Sequence, residues 1–417
     1  KSLFWGGILM IIGSVILAID PKNFFFIGLG FTIVGTGFFK PNISSMVGQL
    51  YPDGDPRRDA GFSFFYMGVN LGALIGGYIC IAVAEGSMWQ SIVPEHLRWN
   101  VGFGFAAIVM IISLLTFTQT QKSLGPIGLS PLKEMMVSKR KQLEIVTYVG
   151  SLLVIPLIIV MVANTHYTDY FMICIGPASI LYLLYEMKNF TLAENKKLFA
   201  ALIFIIFSIF FWAFFEQSGG SLSLFAVNNL NNTIGGVVLS PNGVNNSANS
   251  FFVIGFAALV GLVWLWLDKR KIEPNTVIKF GLAFLFLAGG FWVFYYTKFF
   301  ADGFGRTSLG IFTFGWFVIT LGELCLSPIG MSAMTKLSPS KTQAVIMGMW
   351  FLASAYGQYF AGILGANIAE ASEQSSNIEK LNVYADGYLQ LAIYALIAGV
   401  VLIVLSPLVR KLMQEVK

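Results

Sequence analysis

Charge is what this sequence has least of. Asp, Glu, Lys and Arg together make up 11% of its 417 residues, where a soluble domain carries about 25%. With 56% of its residues hydrophobic, it reads as an all-α polytopic membrane protein. Cysteine is scarce as well. Cys80, Cys174 and Cys325 stand far apart in apolar stretches, which leaves neither a disulfide framework nor a zinc-ligand spacing. The two histidines, His96 and His166, fall in short polar connections and do not make a metal site. No HExxH and no GxSxG arranged for catalysis is present, so an integral-membrane enzyme is disfavoured and no cofactor or metal is called for. The formal charge of +5 is small and scattered, which argues against nucleic acid as a partner.

What the chain has instead is aromatics, at 15%, and 43 glycines, a composition suited to closely packed membrane helices. Stretches of about 20 apolar residues, the length of one crossing, fall near 3–19, 23–51, 61–84, 100–119, 143–163, 168–186, 198–226, 249–267, 275–297, 308–335, 342–368 and 385–408. With residue 1 on the cytoplasmic side, the cytoplasmic connections and tail hold 18 basic residues and the opposite connections five. That asymmetry places both termini in the cytoplasm, with membrane lipid as a partner. The uncharged, Asn-rich loop 227–248 then faces outward.

Residues 38–74 read FFKPNISSMVGQLYPDGDPRRDAGFSFFYMGVNLGAL. Lys40 and Pro41 interrupt an apolar run, a charged turn follows at 53–59, and Tyr66 and Asn70 share one helix face at i, i+4. An ammonium facing lipid is expensive, so Lys40 is expected to face an aqueous cavity and something anionic. Glu216 and Glu323 are the other ionisable residues that stand out inside apolar segments. Trp212, Phe215 and Glu216 share a face, and Ser218-Gly-Gly-Ser221 follows, where glycine weakens a helix. Ser327 lies one turn after Glu323, and Pro328 favours a kink. The plainer alternatives are ion pairs that only hold helices together, an aromatic stripe that is core packing, and an ordinary membrane tryptophan at Trp350.

Those motifs carry a resemblance. FKPN at 39–42 and the aromatic-rich signature of 62–74, ending in Asn-hydrophobic-Gly-small, resemble the proton-dependent oligopeptide transporter (POT) family of the major facilitator superfamily. The resemblance implies a major facilitator fold with two helical bundles and an extra helix pair between them. In the family FKPN lies on the fourth helix, whereas here it lies on the second segment. The expected division is therefore 1–120 as an N-terminal bundle of four helices, with the first two of six missing. A linker with two extra transmembrane helices follows at 121–197, then a six-helix bundle at 198–417. The family's ExxER motif and its first-helix arginine, the partner of the residue at Glu216, have no counterpart here.

The implied function is proton-coupled symport of di- and tripeptides by alternating access, in a bacterial inner membrane, by a monomer. By the same resemblance Lys40 receives the peptide carboxylate and Glu323 its amine. Tyr66, Asn70, Trp212, Phe215, Ser327 and Trp350 surround the peptide, while Glu216, with Lys40, couples protons. The alternative is proton-coupled transport of nitrate or another small anion, which would use the cation but give Glu323 no amine to bind. A channel fits less well, because buried opposite charges with helix-breaking Gly and Pro suit alternating access.

Overall fold

The computed structural model describes residues 1–52, 55–84, 89, 91–129, 135–370 and 376–414. Asp53 and Gly54 of the charged turn, and 130–134 of the basic linker, lie outside the described residues. The helices in chain order are α1 (Ser2–Ile19), α2 (Phe25–Gln49), α3 (Arg57–Ala84), α4 (Arg98–Thr120), α5 (Val137–Ala163), α6 (Thr165–Glu186) and α7 (Leu192–Phe215). They continue with α8 (Ser221–Asn229), α9 (Pro241–Lys269), α10 (Thr276–Tyr296), α11 (Leu309–Leu337), α12 (Gln343–Glu370) and α13 (Asn377–Met413). A two-stranded hairpin, Thr233–Ile234 against Val237–Val238, sits between α8 and α9.

Polar residues start these helices where the sequence changes from connection to apolar run. Thr191 and Ser376 each form a capping box with the glutamate three residues on, Glu194 and Glu379. Ser240, Asn275 and Ser308 cap α9, α10 and α11 by accepting a backbone N–H in the first turn. Ahead of α3, Asp55 accepts the backbone N–H of Arg57 at 2.9 Å and its guanidinium at 2.8 Å. These bonds hold the Asp55 carboxyl at about 2, so it is ionised at neutral pH. Prolines 41, 156, 177, 328 and 407 all lie inside helices. In a bilayer neighbouring side chains re-satisfy the carbonyls that proline leaves.

Among the described residues nine helical stretches are long and apolar enough to cross a membrane on composition alone. Ile108, Val109, Ile112 and Leu115 of α4 and Leu153, Leu157 and Val160 of α5 are exposed. Such exposed apolar faces are those expected of membrane-crossing helices. The apolar segment expected at 198–226 is not one helix: α7 stops at Phe215 and α8 restarts at Ser221. The reason is the Gly219-Gly220 pair together with Gln217. Its buried amide donates to Ala213 O at 3.2 Å and to Ala361 O at 3.3 Å, and accepts from Ser221 Oγ at 3.0 Å.

The chain forms two compact units. The first comprises Lys1–Leu50, Gly72–Asn189 and Ser340–Gly348. In it α1 packs on α2 and α4, and α5 packs on α2 and α6. The α1–α2 crossing rests on glycine pairs. A Cβ on Gly6 would lie 2.6 Å from Gly35 O, and one on Gly13 2.6 Å from Gly28 O. Backbones this close gain dispersion that side chains would forbid. Asn100 of α4 donates to the terminal carbonyls of α1 at Ala18 (2.9 Å) and Ile19 (3.0 Å).

The second unit comprises Tyr51–Leu71, Phe190–Pro339 and Met349–Lys417. Here α10 lies against α11 and α13, and α7 against α11 and α13. Its core is aromatic: Phe211, Phe284, Phe294, Phe312, Trp316 and Tyr388 meet largely edge-to-face or stacked. The glycine dependence of α1–α2 is testable. Gly35→Leu should lower the thermal stability of the detergent-solubilised protein by about 1–3 kcal/mol. Gly37→Leu, where a Cβ meets nothing within 4 Å, should change it little. Equal effects would contradict this packing.

Candidate functional site

A buried carboxylate on α11 is one of the polar centres of the second unit. Gly322 lets α11 approach α10, since a Cβ there would lie 2.6 Å from Ala283 O. The next residue, Glu323, is only 2% exposed. One of its oxygens accepts the Tyr66 hydroxyl of α3, and the other accepts Asn249 Nδ2 of α9 at 2.5 Å. Asn249 also reaches Thr320 Oγ1 at 3.2 Å. Val253, Ala257 and Leu324 form an apolar cluster close by, with Tyr66, Met67, Phe256 and Val260 packed on it. Burying a carboxylate costs several kcal/mol unless donors replace its water. Here both donors are neutral. Among the described residues no lysine or arginine pairs with Glu323.

The other residues expected around Glu323 divide. Ser327, one turn on, is buried. The Asn70 amide donates to Tyr66 O at 3.1 Å, one turn back on the same helix. Trp350 is also turned into packing. It is 2% exposed, a Cβ on Gly330 would lie 2.2 Å from its ring, and Phe280 meets it edge-on at 6.0 Å.

Glu216 is the residue that ends α7. Trp212 and Phe215 lie against each other at 5.1 Å, and Phe215 continues to Trp316 at 6.0 Å, so this stripe packs inward. Glu216 is half-buried and accepts Gln358 Nε2 of α12 at 3.2 Å. Lys40 belongs to the first unit, in the continuous helix α2. Around Pro41, Asn42 and Ser44 turn their side chains back to the carbonyls of Phe38 (2.8 Å) and Lys40 (3.0 Å).

Sequence reasoning missed a second charged centre. Asp59, in the first turn of α3, accepts Lys279 at 2.9 Å, Lys336 at 2.6 Å and Ser332 Oγ at 2.5 Å. Lys279 also reaches Glu273 at 2.6 Å and lies 4.8 Å over the Trp264 ring. Its side chain is 2% exposed. The available signal was Lys279 itself, the one charged residue of α10. Asn249 and Gln358 were also missed, being uncharged. Two carboxylates and two ammoniums neutralise one another, so this cluster is cohesive. Asp59→Asn should cost about 3–5 kcal/mol in thermal unfolding, the price of stranding buried charge. Asp59→Asn combined with Lys279→Met should cost less than the two single changes added. Strict additivity would show that the pair is not coupled.

The comparisons with known proteins agree on one family. The POT family model matches residues 1–383. The "Peptide transporter YePEPT" of Yersinia enterocolitica is 31% identical over 440 residues, covering 100% of this chain and 81% of that protein. A "Di-/tripeptide transporter" of Lactococcus lactis subsp. cremoris is 29% identical, covering 100% of this chain and 82% of that protein. Among solved structures, a peptide transporter POT variant in complex with alafosfalin is 30% identical with a TM-score of 0.69. It is matched over 99% of this chain and 81% of its own. A POT family transporter in complex with 5-aminolevulinic acid is 26% identical with a TM-score of 0.70, over 98% and 81% of the two chains. The chain is therefore a multi-pass, all-α membrane protein with a major facilitator-type fold, not an enzyme, and it belongs to the POT family of transporters.

Proposed function

We propose that this chain carries di- and tripeptides together with protons by alternating access. The observation that carries the reading is Glu323, a buried carboxylate held by neutral donors. A peptide's ammonium would be a full positive charge for it to meet, and a charge-assisted bond there is about twice as strong as a neutral one. A small anion such as nitrate offers no such group. The names of the Yersinia and Lactococcus relatives support the same substrate class.

In this reading Lys40 receives the peptide carboxylate and Glu323 its amine. Tyr66 and Asn249 hold Glu323 in place, Ser327 and Asn70 add polar surface, and Trp212, Phe215 and Trp350 shape the walls from behind. Glu216 and Lys40 take part in proton coupling. The protein works as a monomer in lipid, in a bacterial inner membrane with both termini cytoplasmic. Residues 1–120 belong to the N-terminal bundle, 121–197 to the linker with its helix pair, and 198–417 to the C-terminal bundle.

Coupling needs a group whose charge differs between the two access states, because a proton can shift that equilibrium only by binding one state better. Glu216→Gln copies the protonated side chain with little change in shape. In proteoliposomes of the intact transporter it should abolish peptide accumulation driven by a proton gradient while counterflow, which needs no gradient, persists. Retention of both would remove Glu216 from coupling. Lys40→Ala and Glu323→Gln should each reduce gradient-driven uptake at least tenfold. Wild-type uptake in either variant would contradict its role in binding peptide termini.

A further inference from the structure

Helices α7 and α12 are stitched together beside Glu216 by three successive contacts. A Cβ on Gly357 would lie 2.2 Å from Trp212 Cβ, so α12 rests directly on that turn of α7. The next residue, Gln358, donates Nε2 to Glu216 Oε1 at 3.2 Å. One turn further along α12, Ala361 O accepts Gln217 Nε2 at 3.3 Å. Backbone-level contacts on either side thus fix the register in which the Gln358 amide meets the Glu216 carboxylate.

The chemistry of that amide matters. An ionised carboxylate only accepts hydrogen bonds, whereas a protonated one must also donate. Lysine and arginine serve the first state alone, because they carry no acceptor. An amide carries both N–H donors and a carbonyl acceptor on one flat group, and half a turn about its last torsion exchanges them. The titratable groups on the helices packed against α7 include Glu323 of α11, close enough to Glu216 for the two carboxylates to repel when both are charged. Glu323 of α11 is bound by Tyr66 and Asn249, and Tyr388 and Tyr394 of α13 lie in ring contacts with Phe225 and Phe214.

We infer that Gln358 is the positioning residue for the proton-carrying carboxylate, an ambident partner that holds Glu216 by donating when it is ionised and accepting when it is protonated. The inference rests on the assignment of coupling to Glu216 and specifies how that group exchanges a proton without losing its partner. No bond other than the Glu216 O–H forms or breaks, and the proton comes from and returns to water.

The test uses proteoliposomes of the intact transporter, with a labelled dipeptide assayed by gradient-driven accumulation and by counterflow. Gln358→Met keeps the shape but neither donates nor accepts in this way; Gln358→Lys only donates; Gln358→His, as neutral imidazole, does both. We expect accumulation to fall at least tenfold in the Met and Lys variants, with counterflow within about threefold of wild type, and the His variant to keep both activities. Wild-type accumulation in Gln358→Met would overturn the inference. So would a parallel loss of both activities in the Met and His variants, the mark of a seam that only holds helices together. Gln358→Met is close to isosteric, so a folding defect in Gln358→Lys leaves the test intact. Glu216→Gln, measured alongside, separates the two levels. If it accumulates peptide normally, the coupling assignment itself fails. If it does not, while Gln358→Met does, only the role of Gln358 fails.

Discussion

A charge stays inside a low-dielectric protein only if its neighbours replace the water it has lost, and the polar architecture of this transporter follows from that constraint. The second unit contains two contrasting solutions. At Asp59 the replacement is complete: two ammoniums and a hydroxyl surround one carboxylate, and Glu273 balances the remaining charge. At Glu323 the neighbours are a phenol and an amide, which solvate the carboxylate without neutralising it. The first arrangement leaves little for a ligand to add. The second leaves a carboxylate without a cationic partner among its described hydrogen bonds, so the two centres differ in how the lost water is replaced.

Glu216 stands between these extremes. Its described partner is a neutral amide, and it sits where α7 ends. The break from Phe215 to Ser221 frees backbone groups at this depth, and buried side chains recover them. Gln217 bonds Ala213 O and Ala361 O, and Asn245 bonds Ser218 O at 2.9 Å. Irregular backbone is tolerated inside a membrane protein only when it is re-satisfied in this way. A helix end held by side chains can rearrange at lower cost than a continuous ladder.

Much of the fold was legible because it is written in strong local signals. Apolar runs of membrane length locate most helices, and the Gly219-Gly220 pair marks where the 198–226 segment weakens. Glu216 and Glu323 stood out for the same reason, as carboxylates within apolar runs. Lys279 did not, because a lysine in the first turn of a helix looks like the end of a connection rather than a buried group. Asp59 likewise resembled part of a charged turn, and only tertiary packing reveals that Lys279 and Lys336 converge on it. Asn249 and Gln358 carry no charge to mark them. Trp350 stood out by its place in the sequence motif, and its packing is set by a glycine. A tryptophan beside a pocket motif suggests a wall, but the space left by Gly330 draws its ring into close packing.

The central proposal is that Glu323 receives a peptide's ammonium, and a thermodynamic cycle in binding tests it directly. The affinities of a free dipeptide and its N-acetylated form are compared in the wild-type transporter and in Glu323→Gln. Acetylation removes the ammonium and should weaken binding to the wild type by about tenfold or more, at about 1.4 kcal/mol per factor of ten. In Glu323→Gln the two ligands should bind within about twofold of each other. An acetylation penalty of the same size in both proteins would show that the ammonium is recognised elsewhere, and the account of Glu323 would be wrong.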